Sequence, residues 1–271
     1  MNRSFVSADF LYDRLAEQFK PEVYTDVFPK VGVQFHNTDR IEKVYTATFA
    51  APGVIEEILG RDEKNVMLFC HHPVPQMPSL EAGYGTIPAE LVEKMAAQEI
   101  TLFSYHIPLD VAGPYSPGNT LAQAMHANPY ESWYPQNGAQ LGALCQTGFT
   151  TVTELQDCFE TTLGHGVKCY RYGSEKLNNG KFAIMAGIAR STDAYRFLKE
   201  KGINVMVTGV TAQSVEWVEK IHAAAKEHGI TLLGGTHYST EKFALMALCN
   251  YFRNLGIEAE FLAEKPNMDE M

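Results

Sequence analysis

Three short stretches of this sequence carry the side chains best suited to chemistry. His71 and His72 follow the apolar run VMLFC, His106 and Asp110 follow ITLFSY within H-I-P-L-D, and His237 and Glu241 follow ITLLGG within T-H-Y-S-T-E. Imidazole nitrogens and carboxylate oxygens offer the lone pairs that a first-row divalent metal accepts, and such groups survive burial only when paired. One histidine at a strand end is usually structural. Three such ends, two with a carboxylate four residues on, point to a metal site. Neighbouring side chains on an extended backbone diverge, so His71 and His72 are expected to serve two ions rather than one. Five or six ligands for two ions need a bridging carboxylate, which Asp110 or Glu241 could supply. The lack of thiolates there favours Zn, Fe, Mn, Co or Ni over a structural cysteine site.

The other cysteines and histidines read differently. Cys70, Cys145, Cys158, Cys169 and Cys249 are odd in number, scattered and without CxxC, which suits reduced thiols. Cys70 is expected to pack inward and Pro73 to end its strand. His36, His126, His165, His222 and His228 lack comparable company; His222 and His228 lie in a helical run with Lys and Glu and are expected to face solvent. No G-x-x-x-x-G-K-[ST], G-x-G-x-x-G or G-x-S-x-G occurs, which removes the simplest nucleotide-loop and serine-hydrolase readings. GYGT at 83–86 is expected to form a mobile loop near the site.

The elements that position these residues follow from the hydrophobic pattern. Apolar runs of strand length alternate with helix-length patterns: VYTATFA then VIEEIL, VMLFC then a helix opening near Pro88, ITLFSY then TLAQAM. A second series runs from VKCYRY through KFAIMAG, INVMVTG and ITLLGG to IEAEFL. Helices stop at Gly202, Gly229 and Gly256, each with a Lys, Arg or His within about the last turn before it. This rhythm predicts an α/β fold of two α/β domains, with mixed or mainly parallel sheets flanked by helices. In such sheets ligands bind beyond the strands' carboxyl ends, where the three histidine-bearing stretches fall. The loop Asn128 to Gly142 is the expected boundary, and the acidic tail NMDEM is expected to be mobile.

Composition narrows the partners. The 271 residues carry a formal charge of −10 with no Lys/Arg cluster, which argues against a nucleic-acid surface. The opening MNRSFVSADFLYDRLAEQF lacks a signal-peptide core and reads as an amphipathic helix capped by Ser7, with Leu11, Leu15 and Phe19 inward. No stretch approaches the roughly 20 apolar residues of a membrane helix, so cytoplasmic residence is the default expectation.

Together HHP (71–73), HIPLD (106–110) and THYSTE (236–241) resemble the Nif-three-like family of dinuclear-metal-centre hexamers, many of which are named GTP cyclohydrolase 1 type 2. Further similarity lies in PKVGVQFHN, GNTLAQAM, NGAQLGAL and the VTG strand end at 207–209. The resemblance implies metal ligation by His71, His72, Asp110, His237 and Glu241, with Glu241 bridging two divalent ions. His106 would sit beside the site as an orienting or proton-shuttling catalytic residue, or an occasional ligand. It also implies a metal-binding α/β domain from residues 1–135 and 230–271, a second α/β domain at 136–229, and a ring-shaped homohexamer. The implied activity is hydrolysis of a small molecule, a nucleotide if the GTP-ring-opening reaction applies. The competing reading is a non-catalytic metal-binding assembly acting as chaperone, store or regulatory scaffold. Three features depart from the family pattern: Thr236 replaces the usual glycine before the final histidine, Val210 replaces an acidic residue after TG, and VYTATFAAP lacks an aspartate.

Overall fold

The computed structural model describes residues 5–76, 85–111, 113–214 and 216–271. Gly83 and Tyr84 of the GYGT stretch lie outside them. The chain folds into two α/β units: Met1–Leu109 with Ala244–Lys265, and Asp110–Phe243 with Pro266–Met271.

In the first unit the apolar runs form a five-stranded sheet in the order Glu258–Phe261, Lys43–Phe49, Val66–His72, Ile100–Ser104, Gly32–Phe35. The first four strands are mutually parallel and Gly32–Phe35 is antiparallel. Lys43–Phe49 and Val66–His72 are buried at every residue, as a strand covered on both faces requires. On one face Tyr45, Ala47, Leu68 and Cys70 pack with Ile55 and Ile58 of helix Pro52–Gly60 and with Leu91 and Met95 of helix Ala89–Ala97. On the other, Phe69 meets Phe103 and Phe252. The amphipathic helix Ala8–Phe19 forms as expected: Ser7 Oγ accepts the Phe10 N–H at 3.2 Å, and Leu11, Leu15 and Phe19 are buried.

The second unit holds a six-stranded sheet in the order Lys168–Tyr170, Thr231–Gly234, Val205–Thr208, Lys181–Met185, Ala143–Gln146, Asn128–Glu131. Lys181–Met185, Val205–Thr208 and Thr231–Gly234 run parallel, and the flanking strands are antiparallel. Helix Val152–Leu163 lays Leu155, Phe159 and Leu163 against Phe182, Ile184, Val205, Val207 and Leu233. A capping box starts it: Thr151 Oγ1 accepts the Glu154 N–H at 3.2 Å, and Glu154 Oε2 accepts the Thr151 N–H at 3.0 Å.

The unit boundaries differ from those the sequence suggests. The segment 128–142 is no linker: Asn128–Glu131 pairs with Ala143–Gln146, and Tyr134–Gln136 forms a hairpin with Ala139–Leu141 around Asn137 and Gly138. All of it belongs to the second unit, as does Thr231–Gly234, which pairs with Val205–Thr208. Crossovers of the chain therefore fall at Leu109/Asp110, within the short helix Ile107–Asp110, at Phe243/Ala244, within helix His237–Asn254, and at Lys265/Pro266.

Two other expectations are corrected. The acidic tail docks: Thr211 and Ala212 N–H donate to the Glu270 carbonyl at 2.8 and 2.9 Å. His222 is buried rather than exposed, because Nδ1 meets the Tyr172 hydroxyl at 2.8 Å and Nε2 the Thr211 carbonyl at 2.9 Å. Among the described residues no helix is long and apolar enough to cross a membrane.

Candidate metal centre

The first unit supplies three imidazoles. His71 and His72 are the last two residues of Val66–His72, and His106 follows Ile100–Ser104, the parallel strand beside it. One ligand atom from each of the three lies within 4.8 Å of the others. The rings of His71 and His72 are 4.3 Å apart and tilted by 59°, and each is 5.0 Å from His106. Convergence of neighbours corrects the expected divergence. Regular pleating alternates side chains, but these two residues terminate their strand, where the following Pro73 lies outside it.

Each ring is held by a specific partner. His71 Nδ1 meets the Tyr105 carbonyl oxygen at 3.0 Å. A carbonyl only accepts, so Nδ1 carries the hydrogen and Nε2 the lone pair, the tautomer a metal-ligating histidine needs. His72 stacks on Phe49, with centroids 4.7 Å apart and planes 17° apart. His106 Nδ1 meets Asp26 Oδ1 at 3.0 Å, and its ring sits edge-on to Phe28 at 5.1 Å.

Asp26 was not legible as a site residue in the sequence. Its Oδ1 also accepts the Phe28 N–H at 3.1 Å and its Oδ2 the Ile107 N–H at 2.8 Å. Burial alone pushes the Asp26 carboxyl up, but the hydrogen bond and charge of His106, with the two amides, outweigh it and hold the group below its ordinary value. The signal available was faint: one aspartate in YTDVFP, a segment without periodicity.

The second unit supplies two carboxylates and a fourth imidazole. His237 and Glu241 lie one turn apart on helix His237–Asn254, with Nε2 3.0 Å from Oε1. Asp110, four residues after His106 as expected, brings a carboxylate oxygen within 4.8 Å of one on Glu241. Glu241 is therefore the residue near both His237 and Asp110 in this unit. Gly187 makes room for it. Its φ of +68° favours glycine, and a Cβ there would run into Glu241 Oε1 and His237 Nε2. Gly187 is fixed in turn by donating its N–H to Thr240 Oγ1 at 2.9 Å and accepting those of Gly209 and Val210, both at 3.0 Å.

Thr236, the departure from glycine, caps this helix. Its Oγ1 accepts the Ser239 N–H at 3.1 Å and donates to Ser239 Oγ at 2.8 Å. Val210 takes part through its backbone, by the bond to Gly187.

The donors of each unit, taken by itself, fit divalent metal. All six side chains present nitrogen or oxygen, the His71 tautomer is set by a carbonyl, and a carboxylate orients His106. Cys70 does not compete: it is fully buried among Ala47, Leu68 and Leu102, and burial pushes its thiol well up.

Fold and donors together define a two-unit α/β protein in which each unit brings three histidine or carboxylate side chains close to one another. The chain belongs to the Duf34/NIF3 (NGG1p interacting factor 3) family, which it matches over residues 6–268. It is 26% identical over 266 residues to a protein of Chlamydia trachomatis serovar D named "GTP cyclohydrolase 1 type 2 homolog", covering 95% of this chain and 97% of the other. A protein of the same name from Archaeoglobus fulgidus is 25% identical over 243 residues, covering 88% and 90%. The fold is similar to that of reduced HcgD from Methanocaldococcus jannaschii, with a TM-score of 0.75 at 19% identity over 96% of this chain and 99% of the other.

Proposed function

We propose that this protein is a dinuclear metal-dependent hydrolase of a small molecule, in which His71, His72, Asp110, His237 and Glu241 hold two divalent ions from among Zn, Fe, Mn, Co and Ni. The observation that carries metal binding is the convergence of His71, His72 and His106, with ligand atoms within 4.8 Å and the His71 tautomer fixed by the Tyr105 carbonyl, while the count of two ions rests on the family resemblance. Glu241, which meets His237 at 3.0 Å and lies within 4.8 Å of Asp110, would be the bridging carboxylate. Bound metal ions acidify a water and polarise the bond under attack.

The protein's own groups do the rest. Asp26 holds His106 by Nδ1, so a proton accepted or delivered by His106 travels through Nε2. Phe28 and Phe49 pack beside His106 and His72 and limit water around these rings. The names of the relatives favour a purine nucleoside triphosphate as substrate, with hydrolytic opening of the imidazole ring. The family resemblance favours a homohexamer in the cytoplasm.

The test is to load the purified chain with each of the five metals and follow GTP, other nucleotides and phosphoesters alongside His72→Ala and Glu241→Ala. Metal-dependent turnover abolished in both variants supports the hydrolase. Stoichiometric metal without turnover on any substrate would instead favour a metal chaperone, store or scaffold. Light scattering of the same sample reads the assembly size.

A further inference from the structure

The last six residues of the sequence, Pro266–Met271, belong to the second unit, although the stretch before them, Ala244–Lys265, belongs to the first. What anchors them is Glu270, through two different groups. Its carbonyl oxygen accepts from two consecutive amides, Thr211 at 2.8 Å and Ala212 at 2.9 Å. Its carboxylate oxygen Oε2 accepts from the His237 N–H at 2.7 Å. A single turn, Met268–Glu270, presents both groups, and the Asn267 side chain caps that turn by accepting the Asp269 N–H at 3.2 Å.

The His237 amide needs this partner. It is the first residue of helix His237–Asn254, and first-turn amides have no acceptor within their own helix. Thr236 Oγ1 serves the Ser239 amide, and Glu270 serves that of His237, so two residues far apart in sequence divide the capping of one helix start. Carboxylate acceptors make the shorter and stronger kind of hydrogen bond, and negative charge is favoured at a helix amino end. The same turn bears His237 and Glu241, whose side chains already touch at 3.0 Å. Anything that fixes the His237 backbone therefore fixes two candidate ligands, and the Glu270 carboxylate adds negative charge beside that of Glu241. The far side of the anchor is also held: the carbonyl of Thr211 takes His222 Nε2, and His222 Nδ1 meets the Tyr172 hydroxyl.

We propose that Glu270 is a positioning residue of the metal centre, which fixes the His237 backbone and raises the affinity of the His237–Glu241 pair for a divalent cation. The affinity half of this claim rests on the metal-binding reading above; the backbone half does not.

The test compares full-length wild type, Glu270→Gln, Glu270→Ala and Asp269→Asn. Zn²⁺ alone is titrated against a chromophoric chelator, and amide hydrogen exchange at His237 is followed in metal-free protein. Glu270→Gln keeps the acceptor and the shape but removes the charge, so its zinc affinity falls about 10-fold, the low end for a partner that orients a ligand. Its metal-free melting point stays within about 2 °C of wild type, since the acceptor for the His237 amide is retained. Glu270→Ala loses zinc further and exchanges the His237 amide at least roughly 10-fold faster, as removal of about 1.4 kcal/mol of protection requires. Asp269→Asn, an exposed neighbour on the same turn, matches wild type in every reading. Wild-type zinc affinity in Glu270→Gln would overturn the charge role, and unchanged exchange in Glu270→Ala would overturn the positioning role. If wild-type protein bound no metal, the metal-binding reading and the affinity claim would fall together, while His237 exchange would still decide the backbone claim.

Discussion

Asp26 and His106, 80 residues apart in sequence, meet at 3.0 Å, with the aspartate side chain 2% exposed and three donors converging on its two oxygens. Such a carboxylate fixes both the tautomer and the direction of an imidazole. Its folded value lies below the ordinary 3.8, so its stabilisation is present at neutral pH and is lost as pH falls through the folded value. Asp26→Asn should therefore cost about 1–3 kcal/mol at neutral pH, the range for losing hydrogen bonds to a buried charge. The deficit should shrink once the wild-type group is itself protonated. Denaturant titrations of both proteins at neutral pH and near pH 3 check this; a deficit that stays constant across that range would contradict it.

His222 and His228 share a helix and should respond unequally to the same change. His222 is buried between the Tyr172 hydroxyl and the Thr211 carbonyl, whereas His228 is partly exposed at the last position of helix Glu216–His228. Loss of the imidazole in His222→Ala should destabilise by about 1–3 kcal/mol, and His228→Ala by less than about 0.5 kcal/mol. Chemical denaturation midpoints separate the two.

Those two histidines also show where sequence reading reaches and where it stops. Periodicity places both on one helix, yet burial of His222 depends on Tyr172 and Thr211, which lie outside that helix. The parallel strands were legible because continuous apolar runs such as VMLFC leave little choice but a strand covered on both faces. Asn128–Glu131 was not: it is short, polar and contains Pro129, and it forms only because an edge strand pairs on one side alone. Asn137-Gly138 did carry a hairpin signal, and both residues take the left-handed φ such a turn needs, 49° and 80°. The recurrence of histidine and carboxylate at strand ends singled out His71, His72 and His106, which lie close together in the first unit, and Asp110, His237 and Glu241, which lie close together in the second. Asp26, Gly187 and Glu270 were not singled out, since each acts through a contact that no local pattern encodes.

Gly187 sets the space available to His237 and Glu241. Gly187→Ala places a methyl against Glu241 Oε1 and His237 Nε2 at a backbone φ of +68°. Stability should fall by about 1–3 kcal/mol from the strained conformation alone, and bound metal should fall with it. Calorimetry of the metal-free protein reads the first effect and metal analysis after dialysis the second. Retention of both would show that the helix start shifts freely to admit a side chain.

Thr236 should behave as a cap. Thr236→Ala removes the acceptor for the Ser239 amide and should cost about 1 kcal/mol, while Thr236→Gly should cost only a few tenths. Thermal melts of the two variants rank them. Equal costs would mean that the hydroxyl contributes through its bond to Ser239 Oγ rather than through the helix amide.

The central claim is that these histidines and carboxylates hold two divalent ions, with Glu241 shared between them. Elemental analysis of the purified chain, after equilibration with zinc and exhaustive dialysis, tests this most directly. The prediction is close to two equivalents per chain in wild type and one or fewer in Glu241→Ala. Wild-type protein that is folded by circular dichroism and retains no metal would contradict it.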